Sequence, residues 1–199
     1  MKMTLIALAV FALIAAPASA KLEIGQAAPA FTVVDAAGNT HSLSDFAGKT
    51  VVLEWWNHEC PFVEKHYDAN NMQQLQKEYT GQEVVWLAVN SSAEGKQGHT
   101  PGPEATALMA SANAAPTAVL LDHDGTIGQA YSARTTPHMY IINGDGELVY
   151  QGAIDDRPTA NPADIEGSTN YVSAALTQLF AGEDIAVAST KPYGCSVKY

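Results

Sequence analysis

The sequence of 199 residues has few cysteines and few basic side chains. Two cysteines are too few for a disulfide-dense secreted scaffold or for a zinc site made only of cysteines. Its 10 basic and 21 acidic side chains give a formal charge of −11, which argues against a nucleic-acid-binding surface because phosphate backbones need a basic face. With 47% hydrophobic residues, the composition is that of a globular protein and excludes a disordered chain.

After its first twenty residues, the sequence lacks an apolar run near the length of about 20 residues that a membrane-spanning helix needs. The beginning itself is typical of an export signal. Lys2 supplies a positive start, Leu5 to Ala16 form an apolar stretch, and Ala18-Ser19-Ala20 matches an A-x-A cleavage site. We expect a signal peptide over residues 1–20, cleaved near Ala20, with an uncleaved anchor as the alternative. The mature protein is then periplasmic or secreted, free of the membrane, and in a compartment where disulfides persist.

Strand and helix patterns alternate along residues 21–199, and the length of this segment predicts one domain. The predicted strands are Val51–Trp55, Val84–Val89 and Thr117–Leu121, and the predicted helices are Pro61–Tyr79, Glu104–Ala112 and Tyr171–Phe180. A β-hairpin is predicted from Met139–Ile142 and Glu147–Gln151 around an Asn-Gly-Asp-Gly turn. This order predicts an α/β fold with a central mixed β-sheet and helices on both faces.

Cys60 lies where the first predicted strand passes through a loop into a helix that begins at Pro61. Unpaired N–H groups and the helix dipole stabilise a thiolate at that place, and a thiolate is the nucleophilic form of cysteine. His58 adds a positive charge when protonated, whereas Glu59 opposes it. We therefore predict a redox-active Cys60 within reach of small molecules. The alternative is a buried, inert cysteine that packs as a small apolar side chain.

Several segments resemble known redox proteins. Gly25-x-x-Ala28-Pro29-x-Phe31 and Ser42–Lys49 are similar to the start of redoxin domains in the thioredoxin-like peroxiredoxin and alkyl hydroperoxide reductase superfamily. Cys60 stands at the first position of a Cys-x-x-Cys motif, and Val63 replaces the second cysteine. The other matching segments are Asn57–Val63, Thr136–His138, Gly152–Asp156 and Gly194–Lys198. Together they resemble the group with a single cysteine at the helix start.

This resemblance implies a thioredoxin-like fold and an antioxidant or thiol–disulfide oxidoreductase activity. The implied partners are a thiol electron donor and a peroxide or disulfide substrate, and no cofactor is implied. Thr136-Pro137 resembles the cis-proline loop that lies opposite the active cysteine and pairs with the substrate backbone. The local sequence alone favours a trans bond. Leu53 and Asn57 fill the positions where peroxiredoxins have proline and threonine, and Arg134 lies only near the position of their arginine.

Three interpretations remain open for Cys195, which follows Cys60 at a long distance in a tail that contains Pro192 and Gly194. It resolves an oxidised Cys60, because a sulfenic acid condenses with a nearby thiol. Alternatively it forms a structural disulfide with Cys60, or the two never meet. A structural disulfide would have a potential below about −300 mV, whereas a catalytic one should be less reducing.

A different class of function is a binding protein without turnover. In that interpretation His58, Cys60 and His138 form a copper or zinc site, since one cysteine and two histidines are a plausible ligand set. Other candidates have simpler explanations. Asp122, Asp124 and Asp145 are expected in plain turns rather than in a calcium site. Asp155 and Asp156 are expected in a solvated turn or against Arg157, Trp55 in the core of the sheet, and Trp56 in a pocket wall.

Overall fold

The structure is a computed structural model that describes residues 22–199, so the predicted signal peptide lies outside the described residues. The strands are β1 (Thr32–Val34), β2 (Thr40–Ser42), β3 (Val51–Trp55), β4 (Val85–Asn90), β5 (Ala118–Leu121), β6 (Thr135–Thr136), β7 (Met139–Ile142), β8 (Leu148–Gly152) and β9 (Cys195–Ser196). The α-helices are α1 (Pro61–Asp68), α2 (Asn71–Thr80), α3 (Gly102–Ser111), α4 (Thr126–Ala130) and α5 (Tyr171–Ala181). Two short 3-10 helices cover Leu43–Phe46 and Pro162–Ile165.

Five strands form the central sheet in the order β5-β4-β3-β7-β8. β3, β4 and β5 are parallel, while β7 and β8 join the other side of β3 in antiparallel pairs. The register sets Leu53 opposite both Leu87 and Tyr140. The predicted α/β fold with a mixed central sheet is therefore confirmed. The predicted hairpin is present, with an irregularity between Ile141 and Ile142.

The central strands are buried on both faces, as expected for parallel strands covered by helices on each side. One face carries Val52, Trp86 and Ile141, which pack against α2 and α5. The opposite face carries Leu53 and Trp55, which pack with α4 and with Phe31. A third apolar cluster joins α1 and α3 to the sheet, and this cluster contains Cys60.

The prediction of one continuous helix over Pro61–Tyr79 was wrong, because the chain breaks into α1 and α2. Asn70 adopts a left-handed backbone with φ of 55°, which asparagine tolerates better than most residues. The break allows the two helices to pack in different apolar clusters. Val63 of α1 packs in the cluster that contains Cys60, whereas Met72 and Leu75 of α2 pack under the central sheet.

Several short elements were not predicted from the sequence patterns. The strands β1 and β2 pair with each other, and β9 pairs with β6 in a separate antiparallel sheet. The helix α4 begins after the turn that contains Asp122 and Asp124, and buried Asp122 accepts hydrogen bonds from the backbone of Ile127 and Gly128. Within residues 22–199, no helix has both the length and the apolar character required to cross a membrane.

Candidate active site

Cys60 caps the N-terminus of α1 with its backbone. Its carbonyl oxygen accepts hydrogen bonds from the N–H groups of Val63 and Glu64, at 2.8 and 2.9 Å, and Pro61 occupies the first helical position. The preceding loop is held by Asn57, whose side chain accepts a hydrogen bond from the N–H of Glu59 at 2.9 Å. The predicted junction of strand, loop and helix is therefore present, with Cys60 at the amide-rich end of the helix.

The Cys60 thiol points to the loop before β7. Its Sγ donates a hydrogen bond to the carbonyl oxygen of Thr136 at 3.0 Å, and the Thr136–Pro137 peptide bond is cis. The structure thus has the cis bond that the family resemblance implied, not the trans bond that the local sequence favoured. The Thr136 side chain is also buried, and its Oγ1 has no hydrogen-bond partner in the part of the chain that the structure describes.

The tail brings Cys195 to the same place. β9 pairs with β6 so that Cys195 is opposite Thr136, and both cysteines are free thiols. The Cys195 side chain packs against the apolar cluster that contains Cys60. Burial raises the pKa of the Cys195 thiol to about 12, and the interaction with the nearby Cys60 side chain adds to the rise. The fold therefore brings the two cysteines close together.

The two sulfurs differ in exposure. Cys60 has 0% of its surface exposed, whereas Cys195 is partly exposed. The prediction that Cys60 lies within reach of small molecules was therefore wrong for this dithiol form. The physical reason is the tail, because Cys195 packs against the apolar cluster that encloses Cys60.

The predicted ligand set of His58, Cys60 and His138 is not assembled. His138 is buried, its Nδ1 accepts a hydrogen bond from the Arg134 N–H at 3.3 Å, and the same nitrogen lies 3.0 Å from the Tyr140 hydroxyl oxygen. Burial lowers the pKa of His138 to about 3. The ring of His58 packs against Trp56 at a centroid distance of 5.7 Å. No group of three histidine, cysteine or acidic side chains over residues 22–199 is arranged to hold a metal ion.

A groove of about 220 Å³ lies between α1 and α3, and its lining residues Trp56, Val63 and Met109 belong to the apolar cluster that contains Cys60. Trp56 and His58 form one wall, and Leu108 and Met109 from α3 form the other. The expectation that Trp56 belongs to a pocket wall and Trp55 to the sheet core is confirmed. The buried Nδ1 of His58 has no hydrogen-bond partner among the residues described.

The expectation of a solvated turn was wrong for Asp155. This side chain is buried, its Oδ2 lies 3.3 Å from the Lys65 ammonium, and its Oδ1 accepts a hydrogen bond from the Tyr193 hydroxyl at 2.5 Å. His66 completes the cluster, and burial lowers its pKa to about 4. Asp156 instead lies near the Arg157 guanidinium at 3.5 Å, as expected. We refer to Lys65, His66, Asp155 and Tyr193 as the tail anchor.

Sequence reasoning missed the tail anchor because its members are far apart in the chain. The available signal was weak: Lys65 and His66 belong to a helix that begins at a candidate active cysteine. It also missed Glu54, which is buried in β3 and accepts hydrogen bonds from Trp86, Tyr67 and Gln76. Burial raises the pKa of Glu54, and the three hydrogen bonds oppose that rise.

The sheet, the cis-proline loop and the thiol at a helix start define a thioredoxin-like oxidoreductase, the class that the sequence predicted. Residues 24–151 match the AhpC/TSA family, and the chain belongs to that family.

Relatives and solved structures agree with this assignment. The thiol-disulfide oxidoreductase ResA of Geobacillus kaustophilus is 30% identical over 127 residues, which are 64% of this chain and 67% of that protein. A solved structure of an uncharacterized conserved protein from Geobacillus kaustophilus covers 90% of this chain and 94% of its own, with 26% identity and a TM-score of 0.77. A putative thiol:disulfide interchange protein DsbE from Chlorobium tepidum has 25% identity and a TM-score of 0.54, over 66% of this chain and 85% of its own.

Proposed function

We propose that this chain is an exported thiol–disulfide oxidoreductase in which Cys60 and Cys195 form the redox couple. The observation that carries the proposal is that Cys195 pairs with Thr136, whose carbonyl oxygen accepts the Cys60 hydrogen bond, and packs against the cluster that contains Cys60. One thiol lies at a helix start and the other on a tail strand, so a disulfide between them would link the tail to α1. The relatives named as thiol-disulfide oxidoreductases support the same chemistry. We further propose that residues 1–20 are a signal peptide, whose cleavage releases the domain over residues 21–199 into the periplasm or outside the cell.

The reaction transfers two electrons between the couple and an external disulfide. One cysteine thiolate attacks a sulfur of the substrate disulfide, the substrate bond breaks, and one substrate thiol leaves. The second cysteine then attacks the mixed disulfide, releases the other substrate thiol and closes the Cys60–Cys195 bond. The reverse sequence, with two equivalents of an external thiol, returns the couple to the dithiol. The partners are therefore a thiol and a disulfide, and every electron is accounted for without a cofactor.

A disulfide substrate is favoured over a peroxide by the residues before Cys60. Leu53, at the family's proline position, is a fully buried part of β3. Asn57, at the family's threonine position, uses its side chain to hold the loop, since its amide donates to the Gln97 carbonyl at 3.3 Å. Neither position offers a hydroxyl that could align a peroxide beside the Cys60 sulfur.

We assign distinct roles to the remaining predicted residues. The Thr136 carbonyl holds the Cys60 thiol in place, and Pro137 shapes the loop that presents this carbonyl. His58 packs on Trp56 and lines the groove between α1 and α3, where we assign it to contact with the substrate.

The test is to equilibrate the mature protein in glutathione redox buffers and to map its peptides by mass spectrometry. We expect loss of two hydrogens, a link between the Cys60 and Cys195 peptides, and a midpoint potential above about −300 mV. The variants Cys60→Ser and Cys195→Ser should each leave one thiol and no internal link. A much lower potential would make the bond structural, and two unreactive thiols would favour a non-catalytic binding protein.

A further inference from the structure

The two sulfurs of the couple are not equivalent toward solvent. Cys60 is fully buried, and Cys195 is partly exposed. Thiol–disulfide exchange requires an attacking thiolate to approach the sulfur from the side opposite the bond that breaks, so access to each sulfur decides which one is attacked. In this fold Cys60 has no exposed surface, its Sγ contacts the Thr136 carbonyl, and Cys195 packs against the cluster that contains it.

The segment that covers Cys60 is fixed at several points. β9 pairs with β6, and the N–H of Val197 donates to the carbonyl oxygen of Arg134 at 3.1 Å. Gly194 approaches the Thr136 carbonyl so closely that a Cβ atom there would collide with it. Upstream, Tyr193 is held by the tail anchor, and downstream the Tyr199 hydroxyl donates to the Ala133 carbonyl at 2.8 Å. Lifting this cover from Cys60 would break all of these contacts.

We infer that external thiols enter the cycle at Cys195, and that Cys60 is the buried partner sulfur. This inference rests on the proposed Cys60–Cys195 couple, and it reverses the order of the two cysteines that the sequence suggests. The cysteine at the helix start, where the family places its reactive thiol, would not form the mixed disulfide with the external thiol.

A thiolate of a small external thiol attacks Sγ of Cys195 in the disulfide form, the Cys60–Cys195 bond breaks, and its electron pair stays on Cys60 as a thiolate. A mixed disulfide remains on Cys195. A second thiolate attacks the external sulfur of that mixed disulfide, which yields the external disulfide and a Cys195 thiolate that takes a proton from water.

The electrostatics of the site agree with this direction. A departing Cys60 thiolate lies at the N-terminus of α1, where the helix dipole stabilises negative charge. A departing Cys195 has no such helix end, and its raised pKa makes it the poorer leaving group. Exposure and leaving-group quality therefore both direct the attack to Cys195.

The experiment uses the full mature protein in its disulfide form, mixed with excess glutathione and quenched by acid at short times. Denaturation, alkylation and peptide mapping then locate the glutathione. We expect it on Cys195, with Cys60 alkylated, at least about tenfold over the reverse, since a tenfold ratio needs only about 1.4 kcal/mol between the two attacks. The same reaction in denaturant is the control, because both sulfurs are then exposed and the preference should disappear.

Glutathione mainly on Cys60, or a native ratio no different from the denatured one, would overturn the inference while leaving the couple intact. A starting protein that forms no Cys60–Cys195 disulfide would overturn the proposed function as well, so the two failures are distinguishable. A second variant gives an independent check. Gly194→Ala should push β9 away from Thr136 and reduce the preference for Cys195; an unchanged preference in a variant with displaced β9 would also count against the inference.

Discussion

Replacement of Asp155 by asparagine removes one charge from the tail anchor while nearly preserving its shape. The side chains of Lys65 and Asp155 are 0% and 1% exposed, and their charged atoms are 3.3 Å apart. Two other hydrogen bonds of the Lys65 ammonium would survive the change, to the Arg157 carbonyl at 2.7 Å and to the Tyr193 hydroxyl at 3.4 Å. The substitution therefore leaves a buried ammonium with hydrogen bonds but without a counter-charge.

The expected cost follows from that geometry. Breaking a buried ion pair by removing one partner destabilises a protein by about 3–5 kcal/mol. The retained bond to the Arg157 carbonyl places this case toward the lower value. For a domain of this size, 1 kcal/mol corresponds to about 2–4 °C in Tm, so Asp155→Asn should lower Tm by roughly 6–20 °C. The Tyr193 hydroxyl keeps an acceptor in the asparagine oxygen, so its bond contributes little to the difference.

The assay is urea unfolding of the reduced protein, followed by tryptophan fluorescence. Asp156→Asn is the matched control, because Asp156 is 32% exposed and its pairing with Arg157 is a surface contact worth about 0–1 kcal/mol. A double variant, Lys65→Met with Asp155→Asn, should recover more than half of the loss, since it removes the unpaired charge while the asparagine oxygen still accepts from the Tyr193 hydroxyl. The reasoning is refuted if Asp155→Asn costs no more than Asp156→Asn, or if the double variant is less stable than Asp155→Asn.

Three further predictions concern the tail strand, pH and the buried glutamate. Gly194→Ala should expose Cys60, because Gly194 has a φ of +132° and an alanine Cβ there would collide with the Thr136 carbonyl. Iodoacetamide should then label Cys60 about tenfold faster, which corresponds to a loss of about 1.4 kcal/mol in the binding of β9 to β6. The control Gly146→Ala also places alanine at a positive φ, but in open space, and should not change the labelling rate. The free energy of unfolding should fall as the pH drops from 6.5 to 4, because His66 is protonated in the unfolded chain but stays neutral in the folded protein, where its pKa is about 4. The expected loss is on the order of 3 kcal/mol. Urea titrations of His66→Gln should show a flatter pH profile. Glu54→Gln should lower the free energy of unfolding by about 1–3 kcal/mol in the same assay, because three donors converge on the carboxyl and an amide would add a fourth. Equal stability of this variant and of Glu78→Gln, at an exposed position, would contradict that account.

Patterns of neighbouring residues were enough to predict the central sheet and the passage from strand to helix at Cys60. Apolar runs such as Val51–Trp55 are buried strands, and Pro61 does begin a helix directly after Cys60. These features depend on alternation, capping and the missing N–H of proline, which act within a few residues. The break at Asn70 escaped the same reasoning, because an apolar period continues through it and only the packing of α1 and α2 on different clusters requires the turn.

What the sequence by itself determined is the α/β sheet with a cysteine at a helix start, since local periodicity and capping chemistry decide both. Only the tertiary structure decided that Cys195 meets Cys60 and hides it, and that Lys65 pairs with Asp155 in the interior. Those contacts join residues about a hundred positions apart, and no local pattern records them. They form because the fold returns the tail to the loop before β7, where backbone pairing and a buried charge pair hold it in place.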